Sequence, residues 1–209
     1  MVPVVSRACL VRAPLARQRG FSLVEVSIVT AIILLISIAA IPAIGSYVIE
    51  NKVPKVGEEL QRFIARAKAN AQGGGSAPYR GMSTATLANG VRNSSVLSVD
   101  GTGASAVVAH GLGGSGRAGN GVVTLAPTTL AGGAVGSAFE ITLNNVNDAA
   151  CPSLASMLQR VSDQIRISSN GGSAIVKNTL AVPSVTYDAA YADEQCVAGD
   201  SNTFVFTVR

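Results

Sequence analysis

RQRGFSLVEVSIVTAIILL, residues 17–35, joins a basic segment ending in glycine to a long apolar run that holds a single charge, Glu25. The run extends to Val48 without another charged residue. As a helix, the stretch from Phe21 to Ile44 would be about 36 Å long, enough to cross a hydrocarbon core of about 30 Å. Arg7, Arg12, Arg17 and Arg19 precede it and none lies within it, which places its N-terminal end in the cytoplasm. A conventional secretory signal fits poorly: its apolar core is about 7–15 residues long, and it would not carry a carboxylate five residues in. A simple signal anchor holding a periplasmic binding or enzymatic domain accounts for the length, but gives no role to Gly20, to Glu25 or to the amphipathic stretch beyond Val48.

At that point the pattern changes without a break. Through VIENKVPKVGEELQRFIARAKANAQ, residues 48–72, Val53, Val56, Leu60, Phe63, Ile64 and Ala67 recur at helical spacing, with Glu58, Glu59, Arg62, Arg66 and Lys68 at other positions. Pro42, Pro54 and Gly57 are expected to bend or loosen the helix rather than end it. GGGSAP at 73–78 ends it. The expected organisation is a leader at 1–20, one long helix at 21–72 (membrane-spanning over 21–44, amphipathic over 45–72) and a globular α+β domain at 73–209. In that domain, strands are expected at Ser95–Val99, Gly121–Leu125, Ala138–Leu143, Gln164–Ser168, Ala174–Val176 and Asn202–Val208. A short helix is expected over Pro152–Asp163, with Leu154, Met157, Leu158 and Val161 on one face.

Composition narrows the function. The formal charge of +4 suggests a nucleic-acid binder only until the leader is set aside. Its four arginines, taken from 16 basic residues, leave 12 against 12 acidic ones, a neutral remainder with no electrostatic footprint for nucleic acid. Cysteine usage behaves the same way. Of three cysteines, Cys9 lies in the leader, so its removal leaves Cys151 and Cys196 as one candidate pair in an exported chain. Two free thiols are the alternative. A metal site is disfavoured because only His110 and no CxxC accompany them.

Glu25 separates the remaining readings. A carboxylate inside a membrane segment is costly and usually functional, and it needs a cation. Cleavage after Gly20 would create one, the α-amino group of Phe21. The pair could form within one helix at i, i+4 spacing or between staggered copies. On these residues the chain resembles the type IV prepilins: a basic leader ending in Gly, then Phe, three residues, Glu and a long apolar helix, the class III signal. The resemblance implies the pilin fold, a long N-terminal helix packed on a C-terminal antiparallel sheet. It also implies cleavage between Gly20 and Phe21 by a prepilin peptidase, N-methylation at Phe21, and a role for Glu25 in neutralising the amine of an adjacent subunit. Thr30 and Pro42 fall where many pilins carry a polar residue and a proline. The 20-residue leader and CPSLASMLQRVSDQIRI at 151–167 are similar to the type IVb group of bundle-forming and conjugative thin pili, in which a disulfide, here Cys151 with Cys196, staples the C-terminal region. Phe21 departs from several type IVb members, which begin with another hydrophobic residue.

The expectation is therefore a non-enzymatic filament subunit without cofactor or metal. Its partners would be the prepilin peptidase, the inner-membrane assembly machinery, the membrane before assembly, and copies of itself in an extracellular pilus. A minor pilin or a type II secretion pseudopilin shares the same signal. Other motifs carry less. GLGGSG at 111–116 matches a dinucleotide fingerprint but is followed by RAGNG and a strand pattern rather than a helix, and reads as a flexible surface loop. His110 has no nucleophile elbow and no second histidine. Asn93-Ser94-Ser95 is a sequon without an assigned role, and Arg80, Arg92, Arg117, Arg160 and Arg166 are dispersed surface charges.

Overall fold

The computed structural model describes residues 20–130 and 132–209, so the expected leader, except for Gly20, lies outside the described residues. The chain divides into two compact units, one ending at Pro42 and the other spanning Ala43–Arg209. Helix α1, Leu23–Asn70, contributes residues to both and stays helical at Pro42, Pro54 and Gly57. In the first unit the helix has apolar residues on all sides. Its most apolar 18-residue window has a mean hydropathy of 2.6 and none of that window is buried. By length and composition it can cross a membrane.

In the second unit α1 becomes one-sided. Val53, Val56, Leu60, Phe63, Ile64 and Ala67 are buried in a single core, while Lys52, Lys55, Glu58, Arg62 and Arg66 face solvent. Arg62 pairs with Glu58 at 2.8 Å and with Glu59 at 3.0 Å along that outer face. Such exposed pairs contribute little, so the buried stripe holds the helix down. Gly57 has a packing role besides any loosening: a Cβ there would stand 2.8 Å from Cε of Met157, which lies on helix α3 (Cys151–Leu158). Gln61 Nε2 donates to the Met157 carbonyl at 2.6 Å at the same crossing.

The sheet has seven strands: β1 (Ser98–Asp100), β2 (Val107–Ala109), β3 (Val122–Thr128), β4 (Ala138–Val146), β5 (Gln164–Ser169), β6 (Gly172–Asn178) and β7 (Asn202–Val208). Their order is β1-β2-β3-β4-β7-β5-β6 and every pairing is antiparallel. The last strand in sequence therefore sits inside the sheet, between β4 and β5. Its period-2 pattern turns Phe204, Phe206 and Val208 into the core opposite Leu143, Ile141 and Phe139 of β4. Tyr79 adds an aromatic contact to Phe139 at 4.9 Å between ring centres.

Local differences from the sequence expectations have local causes. Helix α2 (Thr84–Val91) was not expected. Its Gly90 weakens the helical signal, yet a Cβ there would press on the Phe63 ring at 3.0 Å. Strand β2 is only Val-Val-Ala, and β1 begins three residues later than expected. Helix α4 (Ala189–Glu194) is a six-residue turn started by Asp188, whose Oδ1 accepts from Ala190 N at 2.9 Å and Tyr191 N at 3.3 Å. Helix α3 stops at Leu158 rather than Asp163 because Asp163 N already bonds the Thr207 carbonyl at 2.9 Å, committing that residue to the sheet. Lys177 Nζ covers the turn by donating to the carbonyls of Gln159 and Ser162. Burial lowers its pKa, with Asp163 opposing and Lys68 adding to the shift.

Replacing Leu60, fully buried on α1, tests which face anchors the helix. Leu60→Ala is expected to lower unfolding stability by about 2–5 kcal/mol, whereas Lys55→Ala on the outer face should stay within about 0.5 kcal/mol. Urea denaturation of the two variants reads this difference directly.

Candidate functional site

Two regions carry chemistry that core packing does not explain. The first is the N-terminal segment. Phe21 and Leu23 are 81% and 87% exposed, and apolar exposure continues through Ile44. Three hydroxyls in this segment are satisfied locally: Ser27 Oγ donates to the Val24 carbonyl at 2.8 Å, Ser37 Oγ to the Ile33 carbonyl at 2.8 Å, and Thr30 Oγ1 to the Val26 carbonyl. These bonds remove most of the cost of polar groups in an apolar medium. Glu25 is different. It forms no ion pair among the described residues, and it lines a shallow hollow with Phe21, Val26, Val29 and Thr30. Gly20, Phe21 and Glu25 thus lie together at the start of the chain's most apolar helix, with Gly20 and Phe21 outside helical structure.

The second region is C-terminal. Cys151, fully buried at the start of α3, and Cys196, just after α4, are joined as a disulfide with their Cα atoms 6.3 Å apart and a sequence separation of 45. This bond ties the α4 segment to α3, two elements that sequence alone leaves far apart. It also fixes the approach to β7. Asn202, buried at the start of that strand, donates from Nδ2 to the Val197 carbonyl at 2.8 Å and the Val146 carbonyl at 3.2 Å, and accepts from Val197 N at 2.9 Å.

GLGGSG at 111–116 connects to the same region and is not a loose loop. Its backbone makes contacts that only glycine permits: a Cβ on Gly113 (φ 139°) would lie 2.5 Å from the Asn145 carbonyl oxygen, and one on Gly114 (φ 69°) 2.5 Å from Asn120 Oδ1. Asp200 holds it, accepting from Gly114 N at 2.8 Å and from Asn147 Nδ2 at 2.6 Å. Sequence reasoning missed this role for Asp200, whose partners are 86 and 53 residues away. His110 is fully buried beneath the loop. Its Nε2 donates to the Asn144 carbonyl at 2.8 Å and its Nδ1 accepts from Leu112 N at 3.0 Å. Both ring nitrogens are thus engaged by backbone groups. Among the described residues, no cluster of His, Cys, Asp and Glu has metal-binding geometry.

A family model described as PilS N terminal matches residues 57–209, well over half of the chain. The chain belongs to the PilS family. A second model, the prokaryotic N-terminal methylation motif, matches residues 15–41 and so covers Gly20, Phe21 and Glu25. With that motif ahead of the PilS match, the chain is a type IV pilin. Among solved structures, this pilin shares 14% identity with TcpA, a type IV pilin from Vibrio cholerae El Tor, at a TM-score of 0.51 over 76% of this chain and 99% of the other, which supports the fold alone. A type IV b pilin from Salmonella typhi is 23% identical, with a TM-score of 0.49, over 75% of this chain and 96% of that one. No curated protein sequence matches. Pilin-family membership marks a structural subunit.

The disulfide should be a large part of the pilin's stability. Closing a loop of this length contributes about 4 kcal/mol in the chain-entropy model. The Cys151→Ser/Cys196→Ser double variant is expected to lose about that amount in guanidinium unfolding, and the wild type should move toward it on adding reductant while the variant does not.

Proposed function

We propose that this chain is a prepilin cut between Gly20 and Phe21, methylated on the new Phe21 amine, and assembled through residues 21–44 as the major structural subunit of a type IVb pilus. The observation that carries this reading is the conjunction in one segment of apolar exposure from Phe21 to Ile44 and a single carboxylate, Glu25. A helix with this surface is stable in lipid or packed against others like itself, and not in water. Before assembly it would sit in the inner membrane. In the filament it would exchange lipid for neighbouring helices, at little net hydrophobic cost.

Glu25 would then set the axial register. An unpaired carboxylate in an apolar interior costs several kcal/mol, and pairing it with a neighbour's amine removes most of that cost. Staggered copies that miss the pairing are disfavoured by the same amount. Cleavage is what supplies the amine, so processing and assembly are coupled through one charge pair. Residues 43–209 would form the solvent-facing surface, braced by the disulfide. Adhesion, aggregation or conjugation would be carried by that surface, with the prepilin peptidase and the inner-membrane assembly machinery as partners in biogenesis.

N-terminal sequencing and intact mass of wild type and Glu25→Ala test the proposal together. Both proteins are expected to begin at Phe21 with one added methyl group, and only the wild type to appear in sheared surface filaments. A start elsewhere would sink the processing step, and filaments from Glu25→Ala would sink the charge-pair step.

A further inference from the structure

The buried histidine and the glycine loop above it have no part in the function proposed above. His110 is the only histidine in the chain. It closes β2 onto β3, its backbone N–H bonding the Gly121 carbonyl at 3.3 Å, and its side chain is enclosed. The two ring nitrogens have opposite roles. Nε2 carries the proton given to Asn144, and Nδ1 must be bare to accept from Leu112. Leu112 is the loop's buried anchor, fully enclosed, and its carbonyl accepts from Asn147 N at 2.8 Å. Around it, Gly111, Gly114, Ser115 and Arg117 through Asn120 are exposed.

We propose that His110 is a pH-operated latch: protonation at Nδ1 breaks its bond to Leu112 and frees the exposed 111–121 loop, leaving the sheet intact. An imidazolium presents N–H groups at both nitrogens, so Nδ1 would face the Leu112 N–H donor to donor. The Asn144 bond survives, because Nε2 still donates. Strain therefore falls on Leu112 and the loop rather than on β4. The charged groups facing the site are Asp200, whose carboxylate also holds Gly114, and Lys52 of α1, whose Nζ lies 3.6 Å from where a Cβ on Gly111 would stand. Burial dominates and lowers the histidine pKa, with the Asn144 carbonyl and Asp200 pulling it partly back.

Linkage sets the direction of the pH effect. With the loop open, His110 regains an ordinary pKa near 6.5, so below that pH the open state binds a proton that the closed state does not. Closure is then fully stable above about pH 6.5 and weakens as pH falls. Between pH 7.5 and 5.5 the open fraction can rise at most about tenfold, the ratio of the two protonation factors for a closed state that stays neutral.

Hydrogen exchange on the full chain in detergent, corrected for the intrinsic pH dependence of exchange, reads this for peptides covering 111–121 against β4. Loop opening is expected to increase by about three- to tenfold at pH 5.5, with β4 unchanged. In His110→Gln, whose amide does not titrate, loop opening should be the same at both pH values. Should that variant misfold, nitrogen NMR of the sole histidine replaces it: the neutral ring must be the Nε2–H tautomer and must titrate in step with loop exchange. A loop whose opening changes less than twofold, a β4 that opens in parallel, or a histidine titrating without any change in the loop overturns the proposal.

Discussion

Helix α1 works under a constraint that shapes everything else: it presents apolar side chains to opposite kinds of surroundings along its length. From Phe21 to Ile44 the apolar surface runs around the helix and the second unit's core begins only later, at Val53. Apolar area left in water costs about 25 cal/mol per Å², so each of the many exposed Ile, Leu and Val side chains adds a driving force for lipid or for other helices. The second half is ordinary by comparison. It spends one stripe on the core and keeps charges on the outside, so the same helix is apolar all round at one end and a one-sided core element at the other.

That division explains why the second unit needs bracing elsewhere. It has few aromatic residues and no tryptophan, so its core relies on two aromatic pairs, Phe139 with Tyr79 and Phe204 with Phe206 along β7. Strand β7 lies between β4 and β5. Its approach is held by Asn202, by Asp200 and by the Cys151–Cys196 disulfide, all within a few residues of one another in space or sequence. A strand paired on both sides gains from any restraint that keeps its neighbourhood assembled.

Sequence made α1 legible because two periodicities, apolar all round and apolar on one face, run for several turns each. It made β7 legible for the same reason: NTFVFTV alternates cleanly and its observed bounds are those expected. Short elements were not legible. Strand β2 has three residues and α4 six, too few for a pattern to rise above composition. Helix α2 was hidden by Gly90, which is there for contact with Phe63 and not for local propensity. At the candidate site, Gly20, Phe21 and Glu25 are adjacent in sequence, so a motif could gather them. The clamp made by Asp200, Asn147 and the glycine loop could not be gathered, because only the sheet brings those segments together.

Everything proposed for the N-terminal segment depends on what covers residues 21–44. Cryo-electron microscopy of sheared surface filaments at side-chain resolution addresses this most directly. Phe21–Ile44 should lie in the filament interior, in contact with the same segment of neighbouring copies, with each Glu25 carboxylate within about 4 Å of a Phe21 amine. Filaments in which this segment is peripheral, or in which Glu25 faces water with no amine beside it, would contradict the account.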